Sequence, residues 1–245
     1  MTIKLLTLNI EADRHLERVR GAIATHLPDI VCLQEVLEKD LARLADVGAY
    51  AVKYAPMMQI PEDGGRGDAQ NWGIAVLTQI PARSQTVSCY VEDPRLRTFT
   101  QPNDARRTLI ATELEHAGQR LRIVTTHFTW SPDGEATTEQ REDFARLKAQ
   151  LAAYPDYVLC GDFNSPRGRE MFARFTDELH LVDHLPATVT TTLDAKFHYA
   201  GALELVVDTI FATPEYSVDD VKVLEGISDH KGILATIARK PEGVD

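Results

Sequence analysis

Short apolar runs recur along the chain. Residues 3–8, 30–33, 73–78, 107–114, 120–128, 157–160, 204–211, 218–224 and 232–238 all have strand length, and many are rich in Val, Ile and Thr. Tyr157-Val158-Leu159-Cys160 is apolar without alternation, as a strand covered on both faces should be. Elsewhere the period changes. Leu16, Val19, Ile23 and Leu27 keep helical spacing up to Pro28, and Leu37, Leu41 and Leu44 predict a second helix. Thr137 and Gln140 carry a capping-box signature ahead of Phe144, Leu147, Leu151 and Tyr154, with Pro155 closing the segment. A fourth helix is expected over residues 167–179. Many strands with four helices predict sheet layers covered by helices. Residues 55–72 and 92–106, with their Pro and Gly, read as long loops.

No short repeat or Pro/Gly/Ser-rich linker divides the chain. Residues 1–239 therefore read as one domain, and residues 240–245 as a flexible tail. Hydrophobic residues make up 44% of the 245 and charged residues 26%, which excludes a disordered chain or a fibrous repeat. No apolar run approaches the roughly 18 residues of a membrane span. Met1-Thr2 leads straight into a strand-sized run, and the three cysteines, Cys32, Cys89 and Cys160, fit no zinc spacing. Free buried thiols and a cytoplasmic location are the expectation.

The formal net charge of −11 argues against an extended basic surface for nucleic acid. Charge is nevertheless local. Residues 95–122 hold six Arg against Asp104, Glu113 and Glu115, whereas residues 204–229 hold seven acids and one Lys.

Five polar clusters sit where apolar runs end, the place where strands hand side chains to a cleft. They are Thr7-Leu8-Asn9-Ile10-Glu11, Gln34-Glu35, Thr125-Thr126-His127-Phe128, Gly161-Asp162-Phe163-Asn164 and Ser228-Asp229-His230. A further acid, Asp208, is embedded in the apolar run Val206-Val207-Asp208-Thr209-Ile210-Phe211, and a buried carboxylate needs a partner such as a His. Glu35 and Asn9 offer hard oxygen ligands, which suit Mg²⁺ or Mn²⁺ rather than zinc. Asp162 and Asn164 offer a water-orienting carboxylate and an amide donor. His127 and His230 offer donors to a phosphoryl oxygen, and Asp208 a carboxylate to fix one imidazole.

In order and spacing, Asn9, Gln34-Glu35, Thr126-His127, Gly161-Asp162-Phe163-Asn164, Asp208 and Ser228-Asp229-His230 resemble the endonuclease/exonuclease/phosphatase superfamily, the deoxyribonuclease I-like enzymes. The resemblance spans residues 7 to 237. It implies an α/β (α+β) four-layer αββα sandwich, two mixed β-sheets packed face to face and flanked by helices, with one cation-bearing cleft. By that resemblance Glu35 is the principal metal ligand, supported by Asn9, and Asp229 lies beside the metal. Asp162 positions or deprotonates the attacking water. Asn164 hydrogen-bonds the phosphoryl group, His230 paired with Asp208 stabilises charge or moves a proton, and His127 contacts a phosphate oxygen. Glu11 stands where some members have Asp, and Thr209 where many have Tyr; strand alternation turns Thr209 away from the cleft.

The implied activity is that of a Mg²⁺- or Mn²⁺-dependent phosphoesterase cutting phosphodiester bonds, with DNA or RNA as the leading substrate. The alternative is a phosphatase or phosphodiesterase for a small phosphorylated metabolite, inositol phosphate or lipid head group. No obligate protein partner is implied. A catalytically dead binding module of the same fold is disfavoured, because none of these polar positions is apolar. Around the site, Arg167 and Arg169 are candidates for a second phosphate, Arg106 for a charge at a strand edge, and Trp72 and Trp130 for packing or base stacking.

Overall fold

The computed structural model describes residues 2–61, 69–91 and 95–241. Its strands are β1 (Ile3–Asn9), β2 (Ile30–Leu37), β3 (Ala51–Ile60), β4 (Gln70–Thr78), β5 (Ala82–Val91), β6 (Arg107–His116), β7 (Gln119–His127), β8 (Val158–Asp162), β9 (Val182–Asp183), β10 (Asp208–Ala212), β11 (Tyr216–Leu224) and β12 (Gly232–Arg239). They form two six-stranded sheets, ordered β11-β12-β1-β2-β4-β3 and β5-β6-β7-β8-β10-β9. Both are mixed: β1–β2 and β7–β8 run parallel and the other pairs antiparallel. The helices are α1 (Leu16–His26), α2 (Leu41–Ala45), α3 (Thr138–Leu151) and α4 (Glu170–Leu179). α1 and α3 make the crossovers that parallel neighbours require.

Three apolar clusters make four layers. Leu5, Ile30, Cys32 and Ile74 of one sheet meet Ile110, Ile123, Cys160 and Ile210 of the other. Val19, Ile23 and Leu44 cover the outer face of the first sheet on Val31, Leu33 and Leu77. Phe144, Leu147, Phe172 and Phe175 cover the second on Leu109, Val124, Leu159 and Phe211. This is the αββα sandwich that the family resemblance implies. Near-continuous apolar strands follow from it, since both faces of β2 and β8 are covered. The capping box is present: Gln140 N donates to Thr137 Oγ1 at 3.1 Å and Thr137 N donates back to Gln140 Oε1 at 3.3 Å.

Several boundaries differ from expectation. Of the loop expected over 55–72, the described residues are strand except Pro61 and Ala69, in β3 and β4, and residues 62–68 lie outside the described ones. Pro56 lies at a register shift in β3, an edge strand, where a proline costs no ladder bond. β5 was not anticipated because, as the other sheet's edge, it is half-exposed and weakly apolar. In the loop expected over 92–106, residues 92–94 lie outside the described ones, as do residues 242–245 of the expected tail. Leu37 ends β2 instead of starting a helix; a 3₁₀ turn, Glu38–Asp40, precedes the short α2. The run 204–211 becomes strand only at Asp208. Cys32 and Cys160 are buried, Cys89 half-buried, and all three are free. No helix among the described residues is long and apolar enough to cross a membrane.

Candidate active site

Strand register assembles the centre of the site. His127, the last residue of β7, stands opposite Asp162, the last of β8, and Asp162 stands opposite Asp208, the first of β10. Residues paired across neighbouring strands share a face with Cβ atoms about 5 Å apart, so three polar side chains converge. The first sheet brings Asn9 from the end of β1. The Asn9 amide nitrogen donates to Glu35 Oε1 and to Asp162 Oδ2, both at 3.0 Å, bridging the two sheets.

Glu35 reaches the cleft by a local device. It lies inside β2, not beyond its end, where the pairing with β4 shifts register between Leu33 and Val36. Its φ of 62° is left-handed, and a bulge of this kind re-aims a side chain. Its neighbour Gln34 points between the sheets, donating to Thr125 Oγ1 at 3.2 Å and Thr7 Oγ1 at 3.4 Å.

His230 Nδ1 lies 2.8 Å from Asp208 Oδ2, and its Nε2 is 3.9 Å from Asp162 Oδ2. His127 Nε2 is 3.4 Å from the same Asp162 oxygen and 3.9 Å from Glu35 Oε1. Asn164 N donates to Asp162 Oδ1 at 2.8 Å, while its side-chain amide donates to Phe128 O at 3.0 Å. These residues are all buried or half-buried, so their charges act on one another strongly. Burial works against ionised Asp162, but His230, His127 and the Asn164 N–H hold its carboxyl well below the usual range. Burial pushes Asp208 up to about 6 against the pull of His230. Burial alone would strip the proton from His230; Asp208 and Asp162 outweigh it and hold the imidazolium. Burial, with Asp229 nearby, also raises Glu35, while His127 and Asn9 oppose it.

Two groups of side chains have the chemistry to hold a cation. Asp162, Asp208 and His230 bring ligand atoms within 4.8 Å of one another. There, however, Nδ1 is already spent on Asp208. Glu35 and Asp229 both line the cleft and repel each other, and their all-oxygen donors fit Mg²⁺ or Mn²⁺ better. Asn9 is turned with its oxygen accepting from Glu11 N at 3.2 Å, so in this arrangement it bridges carboxylates as a donor.

Other candidates separate. Arg106 donates to Pro56 O at 2.8 Å, whereas Arg107, which sequence reasoning missed, is buried and lines the cleft. It donates to Asn103 Oδ1 at 2.9 Å and His127 O at 3.3 Å. Arg167 is structural, paired with Asp183 at 2.7 Å and bonded to Leu185 O; Arg169 lines the cleft. Glu11 lines it too, paired with Arg14 and with His15 at 3.1 Å. Trp72 is buried against His127, ring centroids 5.5 Å apart, and Trp130 is half-buried in the cleft wall. Thr209 donates to Asp183, away from the cleft.

Gly161 is what allows Asp162 its place. Its φ is 145°, and an added Cβ would lie 2.1 Å from Thr126 O, a backbone atom that cannot yield. Gly161→Ala is expected to cost about 3 kcal/mol or more in urea unfolding; a loss under about 1 kcal/mol would contradict this packing.

A profile of the Endonuclease/Exonuclease/phosphatase family matches residues 6–230. Among solved structures, an endonuclease/exonuclease/phosphatase from Beutenbergia cavernae superposes with a TM-score of 0.78 at 18% identity, covering 100% of this chain and 73% of that one. The human Nocturnin catalytic domain with bound sulfate gives 0.71 at 18%, covering 98% and 94%. D. rerio TDP2 complexed with single-strand DNA product gives 0.70 at 16%, covering 97% and 99%. A search of curated proteins finds no match.

Proposed function

Because the chain belongs to the endonuclease/exonuclease/phosphatase family, we propose that it is a divalent-cation-dependent phosphoesterase that hydrolyses phosphodiester bonds in DNA or RNA. The observation that carries this reading is the convergence of Glu35, Asp162, Asn164 and the Asp208–His230 pair on one cleft of about 920 Å³. In-line attack on phosphorus needs a deprotonated or oriented water, donors on the equatorial oxygens and a proton for the leaving oxygen. Asp162, kept ionised, orients and accepts a proton from the water. The Asn164 amide and His127 donate to phosphoryl oxygens. His230, kept protonated by Asp208, stabilises charge through Nε2–H and gives that proton to the leaving oxygen. A cation held by Glu35 and Asp229 would supply Lewis-acid polarisation of the phosphate. The DNA product bound in the TDP2 structure makes nucleic acid the first substrate to test. The net charge of −11 favours a second reading, a small phosphorylated metabolite.

The test is turnover of single-stranded, duplex and abasic DNA, RNA and inositol phosphates in Mg²⁺, Mn²⁺ and EDTA. Cleavage of a nucleic acid is expected in Mg²⁺ or Mn²⁺, falling at least about 100-fold in EDTA and returning when the ion is restored. Turnover of inositol phosphates alone would overturn the nucleic-acid reading in favour of the second; cleavage undiminished in EDTA would overturn the cation.

A further inference from the structure

The rim of the cleft carries an aromatic ring on a fixed support. Tyr199 is 87% exposed although it lines the cleft. A lone exposed ring is ordinary, but the loop beneath this one is tightly built. Phe197 N and His198 N both donate to Asp194 O, at 3.0 and 2.8 Å, and Gly201 N closes a turn on His198 O at 2.8 Å. Phe197 is tucked beneath, its ring centroid 5.0 Å from that of His15 and 4.3 Å from Arg18 Cζ. The His198 ring stands 4.7 Å from that of Tyr199. The loop is tied to the catalytic segment: Asp194 N donates to Asp229 O at 2.7 Å, its carboxylate accepts from Gly226 N at 2.7 Å, and Leu193 bridges His230. The backbone that carries Tyr199 is thus tied to the segment that carries His230, and most of the Tyr199 ring is exposed.

Among the described residues, the charges along the cleft do not form the basic track that holds a long polyanion. The arginines that line it, Arg14, Arg107 and Arg169, are each engaged by protein acceptors: Arg14 by Glu11, Arg107 by Asn103 Oδ1 and His127 O, Arg169 by Glu135 and Asp133 O. Glu11, Asp13, Asp133 and Glu204 share the walls with them. Such walls favour recognition by stacking over recognition by charge, and unpaired bases stack on aromatic side chains whatever their sequence. Resting on the phosphodiesterase reading above, we propose that the substrate is an unpaired nucleotidyl ester whose base, one step from the scissile phosphate, stacks on Tyr199. Inside a duplex both faces of a base are covered by its stacked neighbours, whereas a base in a single strand can turn a face to the ring.

The experiment measures kcat and KM in Mg²⁺ for a single-stranded DNA dodecamer, the same strand in a blunt duplex, a dinucleotide, and the strand with its bases replaced by abasic spacers. Binding of the labelled dodecamer is followed by anisotropy in Mg²⁺. Stacking of one base predicts that Tyr199→Ala raises KM and Kd for the dodecamer about tenfold with kcat little changed. Tyr199→Phe restores the wild-type values, and the abasic strand shows no further loss. The duplex is expected to be poor, and KM to rise less than about threefold between 50 and 200 mM KCl, because few phosphates are neutralised. The dinucleotide matching the dodecamer would mark a small-ester enzyme; the dodecamer being better would mark a strand enzyme; either supports an unpaired base on Tyr199 if the Tyr199→Ala loss is present. Turnover with Tyr199→Ala unchanged on every substrate, or duplex cut as well as single strand, overturns this inference alone. No turnover and no binding of any strand overturns it together with the nucleic-acid reading.

Discussion

Asp162→Asn is expected to lower kcat by more than about 10³-fold with the fold intact. The expectation follows from how many groups the carboxylate serves. One oxygen accepts from the Asn164 N–H, and the other faces the Asn9 amide, His127 Nε2 and His230 Nε2. An amide has the same shape but carries no charge, and one of its two ends is a donor. Whichever way it turns, an N–H₂ group meets a donor already there, and the water loses the base proposed for it. Removing a general base and an electrostatic partner together accounts for the size. The measurement is kcat on the preferred substrate at saturating Mg²⁺, with thermal unfolding by circular dichroism as the check on the fold. A folded variant retaining more than about a tenth of the activity would remove Asp162 from the reaction.

Much of this arrangement was legible because strands with both faces covered tolerate polar residues badly. Asn9, His127, Asp162 and Asp208 each interrupt or end an apolar run, and each lies at the same edge of the sandwich. Such breaks mark where a strand leaves the core. Glu35 was legible as a residue type but not as a geometry: ordinary alternation would put it opposite Gln34, and only the left-handed bulge brings it to Asn9. Arg107 was not legible, because burial of a guanidinium depends on Asn103 and the His127 carbonyl, which adjacent segments supply. The support for Tyr199 was not legible either. Residues 194–201 have no apolar period, and their order comes from turns and from bonds to the distant Gly226 and Asp229.

Asp208→Asn is the variant expected to change both the rate and its dependence on pH. With Asp208 titrating at about 6 and His230 held protonated well above its ordinary value, the competent pair is carboxylate plus imidazolium. Below about pH 6 Asp208 takes a proton and no longer fixes the imidazolium through a charged hydrogen bond, and activity falls toward acid. As pH rises through the elevated pKa of His230 the imidazolium is lost, and activity falls toward alkali. The optimum therefore lies above pH 6, with limbs that belong to the coupled pair rather than to one residue. Asn at 208 cannot titrate and removes the nearest negative charge from Nδ1, 2.8 Å away. The acid limb near 6 should disappear and the alkaline limb should move to lower pH. At pH 8 kcat should fall about 10²–10⁴-fold, because imidazolium population and orientation are lost together. The loss should be smaller at pH 6, where His230 keeps more of its proton unaided. Profiles of kcat from pH 5 to 9.5 at saturating substrate and Mg²⁺ decide it. A variant whose curve superposes on the wild type after scaling would show that Asp208 orients His230 without setting its charge, and an undiminished rate would remove the pair from the mechanism.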